Sequence, residues 1–245
     1  PTGCHKVGAS FGCLAPRLVT GQFDATYHHA VWPSTGNYCR GGAFNSKLLA
    51  CDSVAILPED MSKERFEWLK SIAGQIIATP GCESNVKEIF DKTWELKKDP
   101  SMMIFNQFAE MGNPLWHYNV TGYALAELFE AVKKPGQTLS GACFTSGSAG
   151  TMSAGDLLKE RYPQMKLAVG EALQCPTILN NGFGGHRIEG IGDKHIPWIH
   201  NVKNTDVAIA IDDEDSQRLL RLFNTPEGQA YLKNELGLDD ELIEK

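Results

Sequence analysis

Short apolar runs rich in β-branched residues, each followed by an amphipathic stretch, recur along this chain and constrain its architecture more than any other feature. "SVAILP" (53–58) precedes "DMSKERFEWLKSIAG" (60–74), and "QIIATP" (75–80) precedes "ESNVKEIFDKTWELKK" (83–98). "MMIFN" (102–106) precedes "PLWHYNVTGYALAELFEAVKK" (114–134). The theme returns in "LSGACFTS" (139–146), "AGTMSAGDLLKERY" (149–162), "KLAVGEA" (166–172), "DVAIAID" (206–212) and "EDSQRLLRLF" (214–223). The apolar runs are predicted as strands and the amphipathic stretches as helices. In the first helix Ser62 is the expected cap, Phe66, Leu69 and Ala73 share a face, and Gly74 is placed to end it. The long stretch at 114–134 is expected to be helical from about Asn119. Continuous apolar strands alternating with helices predict an α/β fold whose parallel sheet is covered on both faces. "KKPGQT" (133–138) is the best boundary, dividing residues 1–133 from 134–245.

In such sheets ligands sit beyond the carboxyl ends of the strands, where loops run into helix N-termini. Three loops have that placement. "TGCHKVG" sets Lys6 after a Pro-Thr-Gly turn at a helix start, where the dipole and desolvation would lower its pKa. The alternative is a solvated surface amine. "WPSTGNYCRGG" (32–42) leads into a helix with Ser34 and Thr35 hydroxyls and backbone N–H groups able to meet a carboxylate. The alternative is a plain N-cap with a glycine-rich turn. "TSGSAGTMSAG" (145–155) carries three glycines and five hydroxyl residues between a strand and a helix, a nest able to wrap a phosphate monoester. It matches neither the P-loop nor the dinucleotide fingerprint, and glycine for close helix–sheet packing is the alternative. A reactive lysine, a carboxylate loop and a phosphate loop on one parallel scaffold fit pyridoxal phosphate.

Composition narrows the field further. With 245 residues, 42% hydrophobic and a net charge of −7, the chain can build a large core and has no basic footprint for nucleic acid. Seven irregularly spaced cysteines read as reduced thiols rather than a disulfide framework. His28, His29, His186, His195 and His200 form no helical i, i+4 pair with a nearby acidic cluster, so no metal site is expected. No apolar run approaches the ~18 residues of a membrane span, and a cytoplasmic location is expected.

Together these stretches resemble the pyridoxal-phosphate-dependent cysteine synthase and cystathionine β-synthase group, which has the two-domain, fold type II, tryptophan synthase β-like architecture. "PTGCHK" is similar to the group's Pro-x-Gly-Ser-x-Lys, which puts Lys6 at the position that binds the cofactor aldehyde. "STGNY" resembles Thr-Ser-Gly-Asn-Thr, which implies that Asn37 holds the cofactor's phenolic oxygen while Ser34, Thr35 and Tyr38 lie at the substrate carboxylate. "NQFAEMGNPLWHY" resembles the segment whose glutamine, here Gln107, meets the same carboxylate. "GSAGT" resembles the Gly-Thr-Gly-Gly-Thr phosphate cradle, implying that Gly147, Ser148, Ala149, Gly150 and Thr151 hold the phosphate. "HRIEGIGDKHIP" is similar to His-x-Ile-x-Gly-Ile-Gly. These similarities fall in family order along nearly the whole chain.

Departures from the pattern carry expectations of their own. Cys4 stands for the usual serine, Tyr38 and Cys39 for Thr-Gly, and Ala149 for a cradle glycine. A bulky Tyr38 implies an altered substrate pocket. Ala149 is expected to keep a negative φ, so that its N–H can still serve the cradle. Relative to the family pattern both termini are absent, and the chain is expected to be a piece of a longer protein. The resemblance implies a homodimer acting at the β-carbon of a small L-amino acid, by replacement or elimination, with Lys6 as the general base. A serine/threonine dehydratase or cysteine desulfhydrase is the nearest alternative. A non-catalytic, cofactor-binding or regulatory relative is the alternative of another class.

Overall fold

The computed structural model describes residues 2–82, 85–188 and 190–243. Pro1, Glu83 and Ser84 at the start of one expected helix, Glu189 of the "HRIEGIGDKHIP" stretch, and the C-terminal Glu244 and Lys245 lie outside the described residues.

The first sheet contains β1 (His29–Pro33), β2 (Asp52–Pro58), β3 (Gln75–Thr79) and β4 (Met102–Ile104), all parallel in the order β3-β2-β1-β4. Side chains along a strand alternate between faces, and here both faces find a core. Ala30, Trp32, Ala55 and Leu57 pack into one cluster, while Val31, Val54 and Ile56 pack with Ile89 into the other. Helices α1 (Lys6–Val19), α2 (Asn37–Leu48), α3 (Lys63–Lys70) and α4 (Val86–Leu96) surround it. The expected helix at 60–74 closes early, at Lys70 rather than Gly74. Ser71 Oγ donates to the Trp68 carbonyl and Lys47 Nζ reaches the Ser71 carbonyl, which satisfies the last turn without a glycine. Ser62 precedes the helix, but its side chain makes no capping bond.

The second sheet contains β5 (Gly141–Thr145), β6 (Lys166–Ala172) and β7 (Val207–Ile211), again parallel. Its Leu167 and Val169 pack with Met152 and Leu158 of α7 (Met152–Arg161) and Ala126 of α6 (Tyr123–Val132). Val207, Ile209 and Ile211 of β7 are 44%, 40% and 49% exposed.

Before α6, helix begins at Gly112, not near Asn119 as expected. Helix α5 (Gly112–Trp116) runs through a π-helical turn (His117–Gly122) into α6. Pro114 lies in the first turn of α5, where its missing N–H removes no intrahelical bond. The remaining helices are α8 (Thr177–Asn180), α9 (Asp213–Asn224), α10 (Pro226–Asn234) and α11 (Asp240–Ile243). No helix among the described residues is long and apolar enough to cross a membrane.

Candidate active site

Lys6 is the first residue of α1, and its position is fixed from the helix behind it. Ser10 Oγ donates to the Lys6 carbonyl at 2.9 Å, and Asn45 of α2 donates to Ser10 Oγ at 2.8 Å and to the Val7 carbonyl at 2.7 Å. Gly41 lets α2 lie directly against this turn, since a β-carbon there would stand 2.7 Å from the Lys6 carbonyl oxygen. From this base the Lys6 side chain reaches between the two sheets. Its Nζ donates to Ser148 Oγ at 2.6 Å and to Gln107 Oε1 at 3.0 Å. The residue is partly exposed, yet its ammonium is enclosed, and burial draws the pKa down to about 8. The negative charge of Asp193 opposes that fall.

On one side of the amine is a cavity of about 210 Å³ lined by Cys4, Asn37, Gly147, Ser148, Ala149, Gly150 and Thr151 among others. Within the described residues none of the five backbone N–H groups of 147–151 meets an acceptor. They stand at the N-terminus of the ten-residue α7, where unpaired donors and the helix dipole both favour an anion. Gly150 is required by packing, because a β-carbon would collide with Asn113 Oδ1. Asn113 in turn steadies the loop, donating to Ser148 Oγ at 3.1 Å and to the Gln107 carbonyl at 2.8 Å. Ala149 corrects the expectation of a negative φ, since its φ is +63°. The backbone takes the left-handed conformation that glycine would favour, at a cost of roughly 1–2 kcal/mol for a residue with a β-carbon. The nest geometry is thereby kept despite the methyl, which is buried.

On the other side is a narrow slot of about 20 Å³ lined by Ser34, Thr35, Gln107, Phe108, Asp193 and others. Ser34 Oγ accepts the N–H groups of Gly36 (3.0 Å) and Tyr38 (3.2 Å), leaving its own proton to donate. Gln107 accepts from Lys6 through Oε1 and has its amide nitrogen left to donate. Below the loop, Arg65 Nη1 of α3 donates to the Thr35 carbonyl at 3.3 Å. Asn37 opens α2, with its amide against Gly190. Tyr38 borders the slot, but its side chain is wholly buried, edge-on to Trp32 at 5.3 Å, and lies close to Cys13, Glu110 and Arg17. Its bulk therefore enlarges the core more than it reshapes the pocket.

Burial pushes the Cys13 and Cys39 thiols up to about 12, which removes them as nucleophiles near the site. His117 is fully buried in the π turn, with Nδ1 2.9 Å from Thr121 Oγ1, and burial lowers its pKa to about 3. It is a neutral neighbour of Lys6. Asp193, Asn113, Arg65 and His117 were not singled out in the sequence. Asp193 lies inside the quoted "HRIEGIGDKHIP" stretch, and Asn113 and His117 lie inside "NQFAEMGNPLWHY", which are the signals that could have pointed to them. The seven cysteines are free, and no group of three metal-binding side chains converges among the described residues. A larger cavity, about 570 Å³, lies apart between α4 and β4, and is built around Trp94, Phe90 and the Arg17–Glu110 ion pair. It has no nucleophile and no anion cradle, so size does not locate the chemistry.

No family model matches the chain. Its sequence is 30% identical over 199 residues to a cysteine synthase of Staphylococcus aureus (strain N315), covering 81% of this chain and 62% of that protein. It is 31% identical over 209 residues to a cystathionine beta-synthase of Dictyostelium discoideum, covering 81% and 40%. The chain thus spans less than two thirds of the length of either relative. Its fold matches that of a hydrogen sulfide-producing enzyme from Fusobacterium nucleatum, with a TM-score of 0.82 at 22% identity over 96% of this chain and 75% of that one. The architecture is the tryptophan synthase β-like one, and in sequence the chain resembles the cysteine synthase and cystathionine β-synthase group.

Proposed function

We propose that the chain binds pyridoxal 5'-phosphate and catalyses β-replacement or β-elimination on a small L-amino acid. The observation that carries this reading is the position of Lys6 Nζ, tied to Ser148 at the anion cradle and to Gln107 at the slot. The residues fit the cofactor: an amine for its aldehyde, five unpaired N–H groups for its phosphate, and Asn37 between them for its ring oxygen. When bound, the cofactor supplies an electron sink for the negative charge left at Cα on loss of its proton. Everything else falls to the side chains. Lys6 holds the aldehyde carbon and, once released, takes the Cα proton, for which a pKa of about 8 is well matched. Ser34, Thr35 and Gln107 orient the substrate carboxylate with neutral donors. In this reading residues 1–133 contribute the lysine and the carboxylate loop and 134–245 contribute the cradle, and the protein works as a cytoplasmic homodimer.

Adding pyridoxal phosphate should produce a visible absorbance band, and borohydride reduction followed by peptide mapping should place the label on Lys6. A label on another lysine with Lys6 unmodified would overturn the assignment. Gln107→Ala should keep the band but weaken its response to an amino acid. Loss of the band with the substrate response intact would reverse the roles given to the two pockets.

A further inference from the structure

The cavity of about 570 Å³ beside β4 shares no lining residue with the cradle cavity or the slot, and the reaction proposed above makes no use of it. Among the described residues β4 is an edge strand. His29 donates its N–H to the Ser101 carbonyl at 2.8 Å, and Phe105 donates its N–H to the Val31 carbonyl at 2.9 Å, so alternate residues of this segment face β1. Met102 and Ile104 turn their backbones the other way. The Met102 N–H donates back to the Asp99 carbonyl at 3.0 Å, while the Met102 carbonyl and both backbone groups of Ile104 meet no partner among the described residues. The strand that carries them lines the cavity.

Four charged side chains line the same cavity, two cations and two carboxylates. Arg17 meets both Glu110 oxygens through Nη2 alone, at 2.8 Å each, which leaves Nε and Nη1 to donate. Lys97 Nζ lies over the Trp94 ring, 5.1 Å from its centroid. Asp99 binds Ser101 through Oδ1 only, with Oδ2 left to accept. The apolar part of the wall is Phe90, Met102, Ile104 and Trp94, the last a residue 62% exposed.

We propose that this cavity is a second binding site, for an aromatic α-amino acid in its zwitterionic form. Nothing in it depends on the cofactor. A volume of this size lies in the range of small-ligand sites, and an apolar wall with a few placed polar groups is their usual lining. The charges select the ligand. A lone anion would be opposed by Asp99 and Glu110, and a lone cation by Arg17 and Lys97. A zwitterion meets both signs, its carboxylate matched by the two cations and its ammonium by the two carboxylates and the free strand carbonyls. Trp94 and Phe90 select the side chain, since their rings offer stacked or edge contact to a third ring.

Calorimetry on the full chain tests the site, before and after incubation with pyridoxal phosphate and borohydride reduction, which caps Lys6 where it holds the cofactor. The probes are L-phenylalanine, 3-phenylpropanoate, which lacks the ammonium, and 2-phenylethylamine, which lacks the carboxylate. L-Phenylalanine should bind about tenfold or more tightly than either analogue in both preparations. Trp94→Ala should weaken it by about fivefold to tenfold, and Trp94→Phe should restore most of the loss. The residue is exposed, so neither change threatens the fold. Equal affinities for the three probes, no binding of L-phenylalanine, or an affinity that Trp94→Ala leaves unmoved would overturn the site. Binding seen only before reduction would place the amino acid at Lys6 and overturn it equally. The cofactor reading stands or falls separately, on whether the pyridoxyl label appears on Lys6.

Discussion

The two parallel sheets carry equal shares of the candidate site on very different foundations. In the first, β2 is buried at six of its seven residues, and Trp32 stacks on Phe105 at 4.5 Å with 17° between the rings. The carboxylate loop grows directly out of that aromatic core. In the second, β5 and β7 alternate between exposed and half-buried residues, and the branched side chains of β7 point outward. The cradle is secured from the side by Asn113, α7 and the loop reaching Gly192, more than by the sheet beneath it. A loop can be held rigid either by the sheet below it or by polar braces at its flank, and this chain uses one method in each half.

The sharpest break of that comparison is Trp32→Ala, which removes the stacked ring and the bond from Nε1 to Ser46 Oγ at 3.0 Å. Denaturant titration should show a loss of about 3–5 kcal/mol. Next in size is the junction. The folded state holds His117 neutral down to about pH 3, whereas the unfolded chain takes up the proton near pH 6.5. Stability should therefore be intact above pH 6.5 and fall as pH drops from 6.5 toward 3. His117→Gln should flatten that slope in urea titrations across this range. In the cradle, Ala149→Val forces a β-branched residue to φ +63° in a buried position and should cost about 2–3 kcal/mol. Ala149→Gly should remain within about 1 kcal/mol of the parent, since relief of strain and lost backbone restriction nearly cancel. Smallest of all, Ile209→Thr on the exposed face of β7 should shift the midpoint by no more than about 0.5 kcal/mol. A large loss there would mean that this face is covered in solution and that the two sheets are more alike than described.

Every strand but β1, whose short "HAVWP" run between paired histidines and a proline was not read as one, and the order of the loops were legible in the sequence because apolar runs and glycine-hydroxyl junctions are local signals. The early start at Gly112 was not, since Pro114 reads as a breaker until it is known to lie in a first turn. "VAIAI" reads as a buried strand whichever way it faces, because alternation of alanine with isoleucine is apolar on both sides. At the site, Lys6 and the 147–151 loop stood out by composition. Asp193 and Asn113 did not, because their part is set by contacts 35 or more residues away, such as Asn113 with Ser148, and an isolated Asp or Asn has no distinguishing neighbour pattern. The left-handed backbone at Ala149 was hidden for a related reason, since the surrounding fold overrides the preference of a single alanine.

The Lys6 ammonium joins Gln107, which follows the first sheet, to Ser148, which follows the second. In the cofactor-free protein it is therefore a mechanical strut as well as a reagent. Chemistry that turns the amine into an imine leaves at most one N–H, so at least one of the two oxygens must be released and the brace between the halves is weakened. Ligand entry and relative motion of the two sheets then draw on a single atom, and hydrogen exchange in the 145–155 and 34–38 segments becomes a direct gauge of whether that nitrogen is occupied.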